Sequence, residues 1–217
     1  SIMLSTNCET HIVDDLTAYL IGWRDTISGN ALSFLKETEH LTEEELASAR
    51  AEELFTGYAV RKENGFTYEG QMLNGQRHGY GKITWDSGNV YTGDFYYGVR
   101  TGKGELVFIN GDRYTGDFVN NARCGQGTYV WSSGDIYTGG FLNDERSGKG
   151  EIQYANGNYL SGIFQNGELN GEGVMAYANG CRYEGSFKDG NFHGYGTYTD
   201  EKGNVLEGIW ENGIFVQ

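Results

Sequence analysis

The sequence predicts a mainly β protein: a single-layer antiparallel meander of 23-residue hairpin units, a β-solenoid, with a short α-helical segment before it. Three observations predict it. A Tyr-x-Gly unit stands at Tyr68, Tyr91, Tyr114, Tyr137 and Tyr183, always at multiples of 23 residues. Two turn signals recur inside every period. Glycine occupies 35 of 217 positions, with no proline, about twice the usual glycine share. The glycines lack the every-third-residue period of collagen. Aromatics at 14% are too many for a disordered chain, which lacks the apolar rings that drive collapse.

Charge and glycine content divide the chain near residue 54. Residues 1–54 carry 11 acids, 3 bases and two glycines, whereas 55–217 hold the other 33 glycines. In the first part, Ile12, Leu16, Tyr19, Leu20 and Trp23 recur at helical spacing. Ser28-Gly29-Asn30 interrupts them, and Leu32, Phe34 and Leu35 suit a second short helix. A third is predicted from Thr42, which with Glu45 forms a capping box, flanked by a Leu41–Leu46 staple. So small a helical set buries too little surface to stand alone, so it is expected to cap the array or fill a groove on it.

The second part divides into a half repeat (55–67), six full repeats (68–205) and a closing half repeat (206–217). Leu160 and Leu206 keep the register where Tyr is absent. Four residues after each Tyr or Leu stands Met72, Phe95, Phe118, Phe141, Phe164, Phe187 or Trp210. A Gly-x-Gly pair follows, from Gly79/Gly81 to Gly194/Gly196. Four residues beyond its second glycine stands Trp85, Phe108, Trp131, Tyr154 or Tyr177, and Asp200 in the sixth copy. The first turn is Asn74-Gly75 and its equivalents, the second Ser87-Gly88 and its equivalents. Both are dipeptides that accept the positive φ of tight turns. Two strands per repeat give a ribbon of roughly 60–65 Å at about 4.8 Å per strand.

Side chains alternate between sheet faces. Tyr91, Gly93 and Phe95 therefore share a face, and Gly102, Gly104, Leu106 and Phe108 of the next strand are expected on that face too. A ring can then lie over a neighbour's glycine, which has no Cβ to push it away. Thr92, Asp94, Thr115, Asp117, Thr138, Lys103, Lys149 and Glu151 fall on the other, wetter face.

Tyr91-Thr92-Gly93-Asp94-Phe95, Gly98, Gly102-Lys103-Gly104 and Gly111 resemble, position by position, the MORN (membrane occupation and recognition nexus) repeat. The resemblance covers about 160 residues; Leu160, Leu206 and Asp200 depart from it, and residues before 55 lie outside it. It implies a partner-binding module of cytoskeletal, ciliary or motor-associated proteins. It also implies alternatives: a phospholipid-binding membrane tether, or a regulatory module of a larger complex.

No catalytic constellation is legible. His78 and His193 share a repeat position but stand five repeats apart, roughly 45–50 Å, too far to share a metal. Cys8, Cys124 and Cys181 form no CxxC pair and read as reduced thiols. Gly98 to Gly104 has only a superficial likeness to a phosphate loop: it lacks Ser or Thr after the lysine and precedes a strand. Glu43–Glu45 suit a helix N-terminus. The chain is read as a non-enzyme with no cofactor and no metal.

The expected function is a cytoplasmic scaffold or adaptor that binds an extended or helical protein segment. Its groove residues are read as Tyr91, Phe95, Phe108, Tyr114, Phe118, Trp131, Tyr137, Phe141, Tyr154, Phe164, Tyr177, Tyr183 and Phe187, because aromatic anchors dominate interface energy. Arg77, Arg100, Arg123 and Arg146 repeat at 23-residue spacing and are read as a basic strip for acidic peptide or headgroups. A homodimer edge is read at Leu206, Ile209, Trp210, Ile214, Phe215 and Val216, since an unpaired apolar strand invites pairing. The net charge of −14 excludes nucleic acid as a partner and disfavours an anionic membrane.

Overall fold

The computed structural model describes residues 55–217 and, before them, only Ala47, Ser48 and Ala51, which are helical. The other expectations for residues 1–54 lie outside the described residues. The described array is one open sheet of 15 antiparallel strands in strict chain order. They are β1 (Gly57–Glu63), β2 (Phe66–Leu73), β3 (Gln76–Trp85), β4 (Val90–Tyr96), β5 (Val99–Val107), β6 (Arg113–Val119), β7 (Ala122–Val130) and β8 (Ile136–Leu142). There follow β9 (Glu145–Gln153), β10 (Tyr159–Gln165), β11 (Glu168–Ala176), β12 (Arg182–Lys188), β13 (Asn191–Thr199), β14 (Val205–Glu211) and β15 (Ile214–Phe215).

The first turn of each repeat takes the twist of the sheet. Asn74 and Gly75 have φ of 47° and 73°, and Asn143 and Asp144 have 48° and 70°, the paired positive values that a two-residue hairpin of matching twist needs.

The two glycines of Gly-x-Gly serve different ends. The first sits in a bulge. Between Gly93↔Gly104 and Phe95↔Arg100, one residue of β4 faces three of β5, and Gly102 in that bulge has φ +80°. The second pairs with the glycine of Tyr-x-Gly, and the tyrosine ring covers both. A Cβ on Gly104 would lie 2.5 Å from Tyr91 Cε2. The tyrosine hydroxyl then donates to a carbonyl three residues on: Tyr91 to Asp94 O (3.0 Å), Tyr114 to Asp117 O (2.9 Å), Tyr137 to Gly140 O (2.8 Å).

These tyrosines form the core of a one-layer protein. Tyr68, Tyr91, Tyr114, Tyr137 and Tyr183 are all 0% exposed. Tyr91, Tyr114 and Tyr137 each meet the phenylalanine of their own repeat and that of the next edge-on, and Tyr183 meets Phe187 and Trp210 likewise; Tyr114 lies 5.2 Å from Phe118 and 4.9 Å from Phe141, at 86° and 79°. Offset or edge-on rings attract beyond their area burial, so the chain of contacts couples neighbouring repeats. In the fifth repeat Leu160 replaces the tyrosine, and Leu169 fills its place: its Cδ atoms lie 2.9 Å from where Gly162 and Gly173 would carry Cβ.

A second column ties repeats together at the other turn. Asn89, Asp112, Asp135 and Asn158 each accept, through Oδ1, the backbone N–H of the following repeat's turn, at 2.9, 2.8, 2.8 and 3.0 Å. Cys181 stands in the same column as a buried free thiol. Cys124 is disulfide-bonded, so the expectation of three reduced thiols fails there.

Candidate functional site

The ring face is closed. Of the residues read as a groove, Tyr91, Phe95, Tyr114, Phe118, Tyr137, Phe141, Phe164, Tyr183 and Phe187 are buried core. Phe108, Trp131, Tyr154 and Tyr177 are half-buried and flank that core. A partner cannot use side chains already packed against each other and against glycine, so these nine do not line an open groove.

The arginine row is turned inward as well. Arg123 donates from Nε to Asp144 Oδ1 (2.8 Å) and from a terminal nitrogen to Asp144 O (2.7 Å). Its guanidinium lies 5.6, 5.5 and 5.5 Å from the rings of Tyr114, Tyr129 and Phe141. Its side chain is 17% exposed. Arg100 sits likewise among Trp85, Tyr91 and Phe118 and donates to Asn121 O at 2.7 Å; burial lowers its pKa. Arg77 and Arg146 donate to Gly98 O and Gly167 O. The strip is an internal strap between successive repeats rather than a free basic surface. In the last two repeats Leu169 and Phe192 take its place, and Phe192 stacks on Tyr183 at 3.7 Å and 6°.

His78 and His193 stay apart, in the hairpins of the first and sixth repeats. At the C-terminal end, Leu206, Ile209, Ile214 and Val216 are exposed. Trp210 and Phe215 are not part of that surface: Trp210 donates to Gly196 O (3.1 Å) and packs on Phe215 at 5.2 Å.

The open surface is the opposite face. Two shallow hollows of about 510 and 520 Å³ share Gln126 and Thr138 and so form one trough. It runs from Tyr80 on β3 to Glu172 on β11, with Thr115, Thr128 and Ser161 on its floor. Cross-strand pairs place these hydroxyls in a continuous line: Thr115↔Thr128, Thr128↔Thr138, then Thr138↔Glu151 and Ser161↔Glu151. Exposed rings stand toward both ends of this face, Tyr58 and Tyr80 at one, Tyr195 at the other.

One rim of the trough is built by the bulges. The N–H after each bulge glycine points across the hairpin. Gln71 Oε1 accepts from Tyr80 N, Asp94 Oδ2 from Lys103 N and Asp117 Oδ2 from Gln126 N, each at 2.9 Å. These caps are not predicted from the sequence, although Asp94 and Asp117 recur at one repeat's spacing directly after Tyr-x-Gly.

Burial and hydrogen bonding also set the acid–base behaviour. The Asp112 carboxyl is held below the usual carboxylate range, chiefly by the Tyr129 hydroxyl (2.7 Å) and the Ser132 N–H. Burial pushes Tyr68, Tyr129 and Tyr137 up to about 12, and Tyr91 and Tyr114 also upward. An unfolded tyrosine titrates near about 10, so the fold holds these protons to higher pH. Their stabilising contribution is complete below about pH 10 and is lost as pH rises toward about 12. We expect tyrosinate absorbance to rise together with loss of the β-sheet circular dichroism in that window. Full tyrosine ionisation near the unfolded value with the sheet intact would contradict this core.

The geometry defines a class: an open, single-sheet β-repeat protein with a sealed ring face and a hydroxyl-lined trough opposite. The MORN repeat matches residues 68–90, 91–113, 114–136, 137–159, 161–182 and 183–205, and the chain belongs to the MORN-repeat family. Comparison with curated proteins returns no match. Among solved structures, the TCP domain of SAS-4 (dCPAP) from Drosophila melanogaster, in complex with a proline-rich motif of Ana2 (dSTIL), is 10% identical. That match covers 70% of this chain and 90% of that one, with a TM-score of 0.40. The TCP10 domain of Danio rerio CPAP is 17% identical over 70% of this chain and 94% of that one, with a TM-score of 0.28. Scores this low carry no inference about what this chain binds.

Proposed function

We propose that this chain is a non-catalytic, cytoplasmic scaffold that binds a protein segment in the trough on its hydroxyl face. The observation that carries the reading is the division of labour between the faces. Rings and arginines are consumed in holding the layer together, whereas the hydroxyl face keeps a continuous hollow over several repeats with exposed tyrosines toward its ends. Solenoid surfaces of this kind serve as extended binding platforms. The membrane reading loses its main support, because the four arginines that would meet headgroups are engaged inside the array.

Substituting arginine for Thr115 and Thr128 fills the floor at mid-array without touching the core. Used as bait, the unaltered chain is expected to retain a specific protein that the T115R/T128R variant releases, with thermal stability changed little. Equal retention by both would overturn the trough as the binding surface.

A further inference from the structure

On the trough rim the third repeat has Asp117 where the fifth has Ile163. In the third repeat the Asp117 carboxylate serves two groups. One oxygen accepts from Gln126 N–H at 2.9 Å, and the other pairs with Lys103 Nζ at 2.5 Å. Lys103 and Asp117 face each other across β5 and β6. Two repeats later Lys149 occupies the position of Lys103, but its partner across β9 and β10 is Ile163. Glu172, equivalent to Gln126, therefore has an isoleucine where Gln126 has a carboxylate. In the fourth repeat Gly140 removes the side chain at the same position. Lys149 is exposed and has no ion pair among the described residues. Lys149, Ser161, Ile163 and Glu172 line one hollow of about 520 Å³ together with Gln126. Two carboxylates line the same hollow and neither pairs with Lys149 among the described residues: Glu151 accepts from the Tyr159 hydroxyl at 2.7 Å and Glu172 from the Ser186 hydroxyl at 2.6 Å.

The geometry points to a carboxylate-recognition site here. An Asp or Glu side chain of a protein segment lying in the trough pairs with the Lys149 ammonium, as Asp117 pairs with Lys103, flanked by the Ser161 hydroxyl and the Gln126 amide. The inference rests on the trough being a protein-binding surface. The chain's net charge of −14 repels an acidic tract at long range. The ligand is therefore an isolated acidic residue in an otherwise uncharged or basic segment, recognised at contact distance.

Short random peptides displayed on phage and selected against the full chain supply the probe. Peptides that compete for the trough, identified by loss of binding to T128R, are expected to carry an Asp or Glu. Replacing that residue with Ala should weaken binding about tenfold, as should Lys149→Met, since a paired charge left alone is the costly state. Ile163→Asp is the decisive variant. It rebuilds the Asp117 arrangement within the chain, so the fold should tolerate it while the same peptides lose about tenfold in affinity. Trough-binding peptides indifferent to both K149M and I163D would overturn the carboxylate site and leave the trough reading intact. Selected peptides that all bind T128R undiminished would overturn both.

Discussion

Gly116→Ala is expected to destabilise the array by about 3 kcal/mol or more, the upper end of what a single added methyl does in a packed core. The new Cβ would lie 2.5 Å from the Tyr114 hydroxyl oxygen, 2.6 Å from Gln126 O and 2.6 Å from Gly127 Cα. Two of the three are backbone, so no rotamer change relieves the contact. The third belongs to a fully buried ring that touches Phe118 and Phe141; moving it disturbs two repeats. Repeat arrays are stabilised largely by nearest-neighbour coupling, so a mid-array break should also broaden or split the unfolding transition. Thr115→Ala, one residue away on the open face, is the control and should cost at most about 1 kcal/mol. Chemical denaturation of the two variants checks the pair, and equal losses would remove the ring-on-glycine explanation of the fold.

Arg123→Ala is the second large effect, expected to cost about 3 kcal/mol. Charge-assisted hydrogen bonds contribute about 1.5–3 kcal/mol and a desolvated cation over aromatic rings about 2 kcal/mol. The two share one guanidinium and do not simply add. Arg123→Lys should recover less than half, because an ammonium cannot fork to Asp144 Oδ1 and Asp144 O while lying over three rings. The fifth repeat supplies a sharper check: Leu160 and Leu169 there replace the tyrosine–arginine pair. Tyr114→Leu combined with Arg123→Leu should therefore cost less than the sum of the two single changes, by the coupling expected of residues in contact. Strict additivity in denaturant would show that the arginine row does not act as a strap.

The period of 23 residues made the architecture legible. Tyr-x-Gly-x-Phe, Gly-x-Gly and two Asn-Gly-like turns mark two antiparallel strands per repeat in chain order, and alternation separates the ring face from the hydroxyl face except at Gly102, which the bulge turns toward Asp94. Alternation says nothing about which face is sealed. Tyr114 and Phe118 look alike in sequence whether they line a groove or fill a core. The decision comes from the glycine pair beneath the tyrosine, the arginine that folds back over it, and rings from the adjacent repeat. The arginine row was visible as a ladder, but its inward turn depends on contacts to residues one hairpin away, such as Arg100 with Asn121 and Arg123 with Asp144. The trough rim was hidden for a related reason: Asp94 and Asp117 act through bulges, and a bulge is a register shift that no single residue announces.

The most direct test of the account is where a bound protein touches the sheet. A photoreactive phenylalanine derivative can replace Tyr80 or Thr128 on the trough, or Tyr154 on the ring face, and be irradiated in the presence of a captured partner. Cross-links from positions 80 and 128 and none from 154 are the predicted result. Cross-links confined to position 154 would contradict it, because the partner would then lie on the face that the fold has closed.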